Sequence, residues 1–191
     1  MTGTREHLRG NRKRIVTGKD SGFSLMELMI AIAIIAILTA VALPNLIAFR
    51  MNSQFRAAAQ DVYATLQKAK MEAIKQNVNC TIAFNQMIGG ITYDYIVFND
   101  TVLVDGNYTA GERLVVTGSL SNYGSARFDP AQGGGSGTTF TGGPGVGFVF
   151  GNDGLPRTLA GAPDSGSIFL TDDSGRQAEV QVNTTGFIRI N

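Results

Sequence analysis

Histidine and cysteine are all but missing from this 191-residue chain, which holds one of each, His7 and Cys80. A single cysteine cannot close an intrachain disulfide, so an oxidising compartment is neither supported nor excluded. Cys80 is open to use as a reactive thiol or an intermolecular link, but a small buried hydrophobe is the reading adopted. His7 stands among the first 22 residues, so residues 23–191 contain no histidine. Ser-His-Asp and Cys-His catalysis and histidine-ligated zinc are thereby unavailable to them. No active site is expected. No cofactor or metal is assigned.

Charge is missing from one long stretch. Residues 23–43 carry a single charged side chain, Glu27, with Ser24 and Thr39 as the other polar ones. At 1.5 Å per residue this is about 31 Å of helix, close to the hydrocarbon thickness of a bilayer. A carboxylate left unpaired near the start of such a helix costs a few kcal/mol in lipid, so Glu27 needs a partner or a route to the interface.

The formal charge of +1 hides an asymmetry. Residues 1–22 hold six basic and two acidic side chains, net +4, and the remainder holds ten basic and thirteen acidic, net −3. A basic flank ahead of a spanning helix stays in the cytoplasm, which sends the C-terminal part across the membrane. An ordinary secretory signal places its apolar segment before the cleavage site. Here the order is reversed: a polar, basic segment ends in Gly22 and the apolar helix follows, so a cut between Gly22 and Phe23 would keep the membrane helix.

The stretch Gly22-Phe23-Ser24-Leu25-Met26-Glu27-Leu28 resembles the processing site of type IV prepilins and pseudopilins. The resemblance implies a prepilin peptidase that cuts after Gly22 and methylates the new N-terminal Phe23. It places Glu27 at the fifth mature position, and Pro44 where many members have a helix-loosening proline. Physically, the Phe23 amine of one subunit can approach Glu27 of a neighbour and offset the desolvation of both charges, a pairing that sets register more than it adds stability. Pro44 removes an intrahelical donor and clashes with the preceding turn, so a kink is expected there. Ala33, Ala36 and Ala40 suit either close helix approach or lipid.

Beyond Pro44, Phe55, Ala58, Ala59, Val62, Leu66, Ala69 and Ala73 follow the three-four spacing of one helix face. The helix is expected to end at Asn77-Val78-Asn79, with Lys68 and Glu72 as an i,i+4 pair. Its apolar stripe is expected to pack on a sheet of the same chain; a coiled coil is the alternative, disfavoured by too few heptads. From Cys80 the texture is β. Residues 80–84 and 92–98 read as a hairpin around 85–90, residues 114–116 and 118–120 as another short strand, and 147–150 as a strand before the turn Asn152-Asp153-Gly154. The glycine-rich residues 133–145 read as a flexible loop and precede no helix, which argues against phosphate cradling. Residues 167–171 and 177–182 form a hairpin around Asp172-Asp173-Ser174-Gly175, and Thr184-Thr185-Gly186 leads into 187–190. Calcium at Asp172-Asp173 is weighed and set below a solvated turn.

This last quarter resembles the ending of the GspH/FimT group of minor pseudopilins and minor pilins. Some of that group end in Gly-Arg-x-Arg and bind DNA; here Gly186-Phe187-Ile188-Arg189 lacks the first arginine, and DNA is not expected as a partner. The fold class expected is α+β, pilin-like, with a long N-terminal helix packed on an antiparallel β domain. Its segments are a leader (1–22), a transmembrane assembly helix (23–43), an amphipathic continuation (44–79) and a periplasmic domain (80–191). The resemblance implies a structural subunit of a type II secretion pseudopilus or type IV pilus, not an enzyme. It sits first in the bacterial inner membrane as a single pass. Its implied partners are the prepilin peptidase, other pilins or pseudopilins, and an assembly platform with its ATPase. A major pilin, or a minor pilin that binds DNA or a secreted substrate, is the alternative.

Overall fold

A computed structural model of the chain describes residues 22–100, 106–141 and 146–191. The basic leader with His7, and Gly142-Gly143-Pro144-Gly145, fall outside the described residues. The chain divides into two compact units at Pro44, Met1–Pro44 and Asn45–Asn191.

Helix α1 runs Leu25–Gln76 and contains Pro44. The proline leaves the Ala40 carbonyl without its usual i+4 donor, although the helical assignment is continuous through it. Every described residue from Gly22 to Arg50 is exposed. Beyond that point one face turns inward: Phe55, Ala58, Ala59, Val62, Leu66, Ala69 and Ala73 are all buried, joined by Thr65. The helix stops in a Schellman motif, with Asn77 at φ 55°, Asn77 N–H donating to Ile74 O at 3.3 Å and Val78 N–H to Ala73 O at 3.2 Å. Asparagine tolerates this left-handed position because its short amide bonds locally. The Asn77 side chain accepts from Asn152 Nδ2 at 3.1 Å.

The helix face meets two antiparallel sheets. The first contains β1 (Asn79–Ile88), β2 (Ile91–Asp100), β3 (Arg113–Gly118), β5 (Val146–Phe150) and β6 (Pro156–Arg157), in the order β3-β2-β1-β5-β6. The second contains β4 (Arg127–Phe128), β7 (Gly166–Thr171), β8 (Gln177–Val182) and β9 (Ile188–Ile190), in that order. Both feed one core. Cys80, Ile82, Phe84, Tyr95, Val97, Phe148 and Phe150 from the first sheet and Ile168, Leu170, Val180, Val182 and Ile188 from the second pack with the helix stripe. The stripe is thus covered within its own chain.

Strands β1 and β2 are buried on both faces. Ala83, Ile96 and Phe98 point away from the helix and form a second cluster with Ile88, Tyr93 and Tyr108. The Phe98 and Tyr108 rings meet edge to face at 5.6 Å.

Several sequence expectations are corrected. The first hairpin turns on Gly89-Gly90 alone, both at positive φ (60° and 84°), which a two-residue turn of the strands' own twist demands. Asn85 lies inside β1 at φ 52°, skipped by the pairing register between Phe84 and Gln86, so its turn-like character is spent on a local irregularity. Leu120 opens a 3-10 turn (Leu120–Tyr123) rather than extending a strand. Its amide donates to Asp94 Oδ2 at 2.6 Å, and the Ser119 hydroxyl to the same oxygen at 3.1 Å. Glu72 pairs with Arg113 on β3 at 2.9 Å, not with Lys68.

The described part of the glycine-rich segment is fastened to β7. Thr139 N–H donates to Ser167 O at 3.0 Å, Phe169 N–H to Gly137 O at 2.8 Å, and the Phe140 ring stacks on Phe148 at 4.0 Å. Asp172 is a turn former, as read, but is buried rather than solvated. Its Oδ1 accepts the Ser174 and Arg176 amides at 3.0 Å each, and its Oδ2 pairs with Arg176 Nε at 3.5 Å. Asp173 is exposed and pairs with Arg127 at 2.5 Å.

Candidate assembly site

The residues singled out in the sequence gather at the start of α1. Gly22, Phe23 and Ser24 precede the helix, and Ser24 is its N-cap. The Ser24 Oγ accepts the Glu27 amide at 3.2 Å, and the Ser24 carbonyl accepts the Leu28 amide at 3.1 Å. Ser-x-x-Glu is the pattern of a capping box, in which the glutamate returns a bond to the cap's own amide. That return bond is not made. Among the described residues, the Glu27 carboxylate has neither a hydrogen bond nor an ion pair. Ser24 is the residue sequence reasoning missed, and the Ser-x-x-Glu spacing was the signal for it.

A second polar side chain in the apolar stretch is self-satisfied. Thr39 Oγ1 donates to the Ile35 carbonyl at 2.7 Å, the usual way a hydroxyl is tolerated on a lipid-facing helix. Glu27 is therefore the one polar group of this stretch that needs something from outside it.

Among the described residues nothing requires Gly22 to be glycine. A Cβ there would meet nothing within 4 Å, and its φ is not in the left-handed region. Phe23, its neighbour, is 82% exposed. Met26, Met29, Ile30, Ile34, Ile37 and Val41 are likewise uncovered. An exposed apolar surface of this length is soluble only in lipid or against other apolar helices.

The other unit, Asn45–Asn191, is held together by polar contacts as well as by its core. The Tyr95 hydroxyl donates to Asp61 on α1, and burial followed by that carboxylate drives the Tyr95 pKa upward. Tyr123 is raised as well, by burial and by Asp61. Lys70 Nζ donates to Gly186 O at 2.8 Å. Cys80 is fully buried, and desolvation, then the nearby charge of Glu72, pushes its thiol up to about 12, which fits the hydrophobe reading.

A membrane-length apolar helix behind a glycine–phenylalanine junction, with its continuation packed on antiparallel sheets, defines a class: pilin-like α+β proteins with a prepilin-type N-terminus. The family model of the prokaryotic N-terminal methylation motif matches residues 18–43, and that of the type II transport protein GspH matches residues 58–186. The chain belongs to the GspH family, whose members are structural pseudopilins rather than catalysts. The match crosses the whole middle of the β domain and stops at Gly186, just before Phe187. No curated protein and no solved structure matches the chain.

Proposed function

We propose that the chain is a minor subunit of a type II secretion pseudopilus or a type IV pilus. In this reading prepilin peptidase cuts between Gly22 and Phe23 and methylates Phe23. The helix then passes from the inner membrane into a filament core, extruded by an assembly platform and its ATPase. The β domain stays on the periplasmic side. Pro44 loosens the helix between its membrane and domain-bound parts.

One observation carries the reading: among the described residues Glu27 has no partner, and it stands at the head of an exposed apolar helix. After cleavage, the new ammonium at Phe23 lies beside the positive end of the helix dipole, an unfavourable place for a cation. A carboxylate from an adjacent subunit relieves both that cation and its own desolvation. Supporting it is Gly22, a glycine that no close approach among the described residues explains. The test is Glu27→Ala in cells that assemble the filament. Cleavage is expected to proceed while incorporation collapses. Incorporation at the wild-type level would refute the role given to Glu27.

A further inference from the structure

The outer face of the second sheet carries a polar groove of about 280 Å³ with an aromatic ring in its wall. Strand pairing sets its side chains in a row. Phe169 on β7 stands opposite Glu179 on β8, whose backbone exchanges hydrogen bonds with Asn191, while Asp129 N–H donates to Phe169 O at 2.9 Å. Ile168, Leu170, Val180 and Val182 alternate with these residues and fill the core, so the row faces away from α1. Gln132 and Gln177 also line the groove.

Both carboxylates are spent on holding neighbours. Asp129 Oδ1 accepts the Ala131 amide at 2.9 Å, and its Oδ2 accepts Gln177 Nε2 at 3.3 Å. Glu179 Oε1 accepts the Ser167 hydroxyl at 2.5 Å, and its Oε2 accepts Asn191 Nδ2 at 3.0 Å. Each carboxylate oxygen thus has a donor inside the domain, so neither acid needs a cation from outside. Gln177 and Asn191 are exposed and, each pinned by one N–H, keep a carbonyl oxygen and a second N–H for a ligand. Gln132, also exposed, adds a third amide. No cationic side chain among the described residues lines the groove, which argues against phosphates, sulfates and acidic sugars. What suits it is an uncharged ring with an apolar face to lie on Phe169 and hydroxyls at its rim, each both donor and acceptor, to meet amides that offer both. A volume of about 280 Å³, just below the roughly 300–1,000 Å³ of drug-sized sites, seats a single such ring.

We infer that this groove binds a hexopyranose unit of an uncharged glycan, stacked on Phe169 and hydrogen-bonded by Gln132, Gln177 and Asn191. Asp129 and Glu179 are positioning residues: the amides they pin have less rotamer freedom to lose on binding. The inference goes beyond the filament role proposed above and holds whatever the fate of the N-terminus. A filament subunit built this way carries a glycan contact on the face of its β domain that points away from α1.

The test is saturation-transfer difference NMR on the full chain in phosphatidylcholine nanodiscs, titrated with chitotriose and with maltotriose. Wild type is expected to bind at least one of them with a roughly millimolar dissociation constant, as a single-ring site supplies. Stronger binding of chitotriose identifies a cell-wall type of glycan as the source, and stronger binding of maltotriose a plain glucan. Gln132→Ala and Asn191→Ala, both at exposed positions, should each weaken binding about threefold to tenfold, the worth of one or two neutral hydrogen bonds. Phe169→Ala should weaken it about tenfold, with circular dichroism checking its fold. Gln181→Ala, on the same sheet face but outside the groove, should leave it unchanged. Signal from neither sugar overturns the inference, as does binding that survives Gln132→Ala and Asn191→Ala at wild-type strength. Displacement of the sugar by free arginine at constant ionic strength overturns the glycan assignment in favour of a basic side chain of a partner protein.

Discussion

Lys70 Nζ donates to the carbonyl oxygen of Gly186 at 2.8 Å, tying helix α1 to the turn that ends β8 and opens β9. Gly186 sits at φ 73°, and a Cβ there would lie 2.7 Å from Gly154 O and 3.2 Å from Lys70 Nζ. Gly154, at the same φ, would in turn press a Cβ to 2.6 Å from Ile74 Cδ1. Two turns from different sheets thus stack on one helix face; both need glycine for its conformation, and Gly186 also for space against the Gly154 carbonyl. Gly186→Ala is expected to cost about 1–3 kcal/mol, read as a lowered denaturant midpoint with an unchanged slope. A midpoint within error of wild type would contradict the packing described.

A second glycine is held by space alone. Gly118 pairs with Tyr95 across β3 and β2, and a Cβ at Gly118 would come 2.0 Å from the ring's Cζ. The ring must cross the glycine to bring its hydroxyl to Asp61. Gly118→Ala should therefore destabilise by about 1–3 kcal/mol, as overpacking does. Adding Tyr95→Ala to it should cost less than the two single changes together, because the clash is then already gone. Strict additivity in that double-mutant cycle would show that the two positions do not compete for space.

Within the helix, burial separates neighbours of similar size. Leu66 is buried in the main core, whereas Met71 is 65% exposed. Leu66→Ala should cost about 2–5 kcal/mol and Met71→Ala within about 0.5 kcal/mol, measured by chemical denaturation. Comparable losses at both positions would mean that the helix face is assigned wrongly.

Alkaline pH should weaken the domain through Cys80. Its thiol is raised from 9.0 to about 12 in the folded state, so above pH 9 the unfolded chain binds fewer protons than the folded one. The thiol's contribution is present below pH 9 and is lost as pH rises through about 12. Tyr95 and Tyr123, also raised, add to the same slope. Cys80→Ala should flatten part of it, seen in unfolding free energies measured between pH 8 and pH 11. A thiol reagent should label Cys80 only in denaturant at neutral pH. Glu179 acts on the other limb: hydrogen bonds from Ser167 and Asn191 hold its pKa down, so its contribution is present at neutral pH and lost on acidification below the ordinary carboxylate range.

What the sequence made legible, and what it did not, follows from how local each signal is. All seven apolar residues read as one helix face are buried, because the 3.6-residue period needs no partner to be visible. Thr65 escaped because threonine reads as polar, and the Tyr95 hydroxyl that bonds it comes from β2, far along the chain. The Glu72 pairing was misread because Arg113 is far along the chain and Lys68 is near. Asn85 drew the first turn away from Gly89-Gly90, since its αL tolerance looks the same inside a strand as in a hairpin turn. The division into two sheets sharing one core was not legible, because strand order is decided by pairings between distant segments. At the N-terminus the motif spacing was plain, while the cap at Ser24 was visible in the letters and overlooked.

The roles proposed for Gly22, Phe23 and Glu27 all depend on where the mature chain begins. Intact-mass and N-terminal fragment spectra of the protein, purified from cells that carry prepilin peptidase, read this directly. The expected terminus is N-methylated Phe23, with residues 1–22 gone and Glu27 at the fifth position. Recovery of an uncut chain starting at Met1 from those cells would contradict the account.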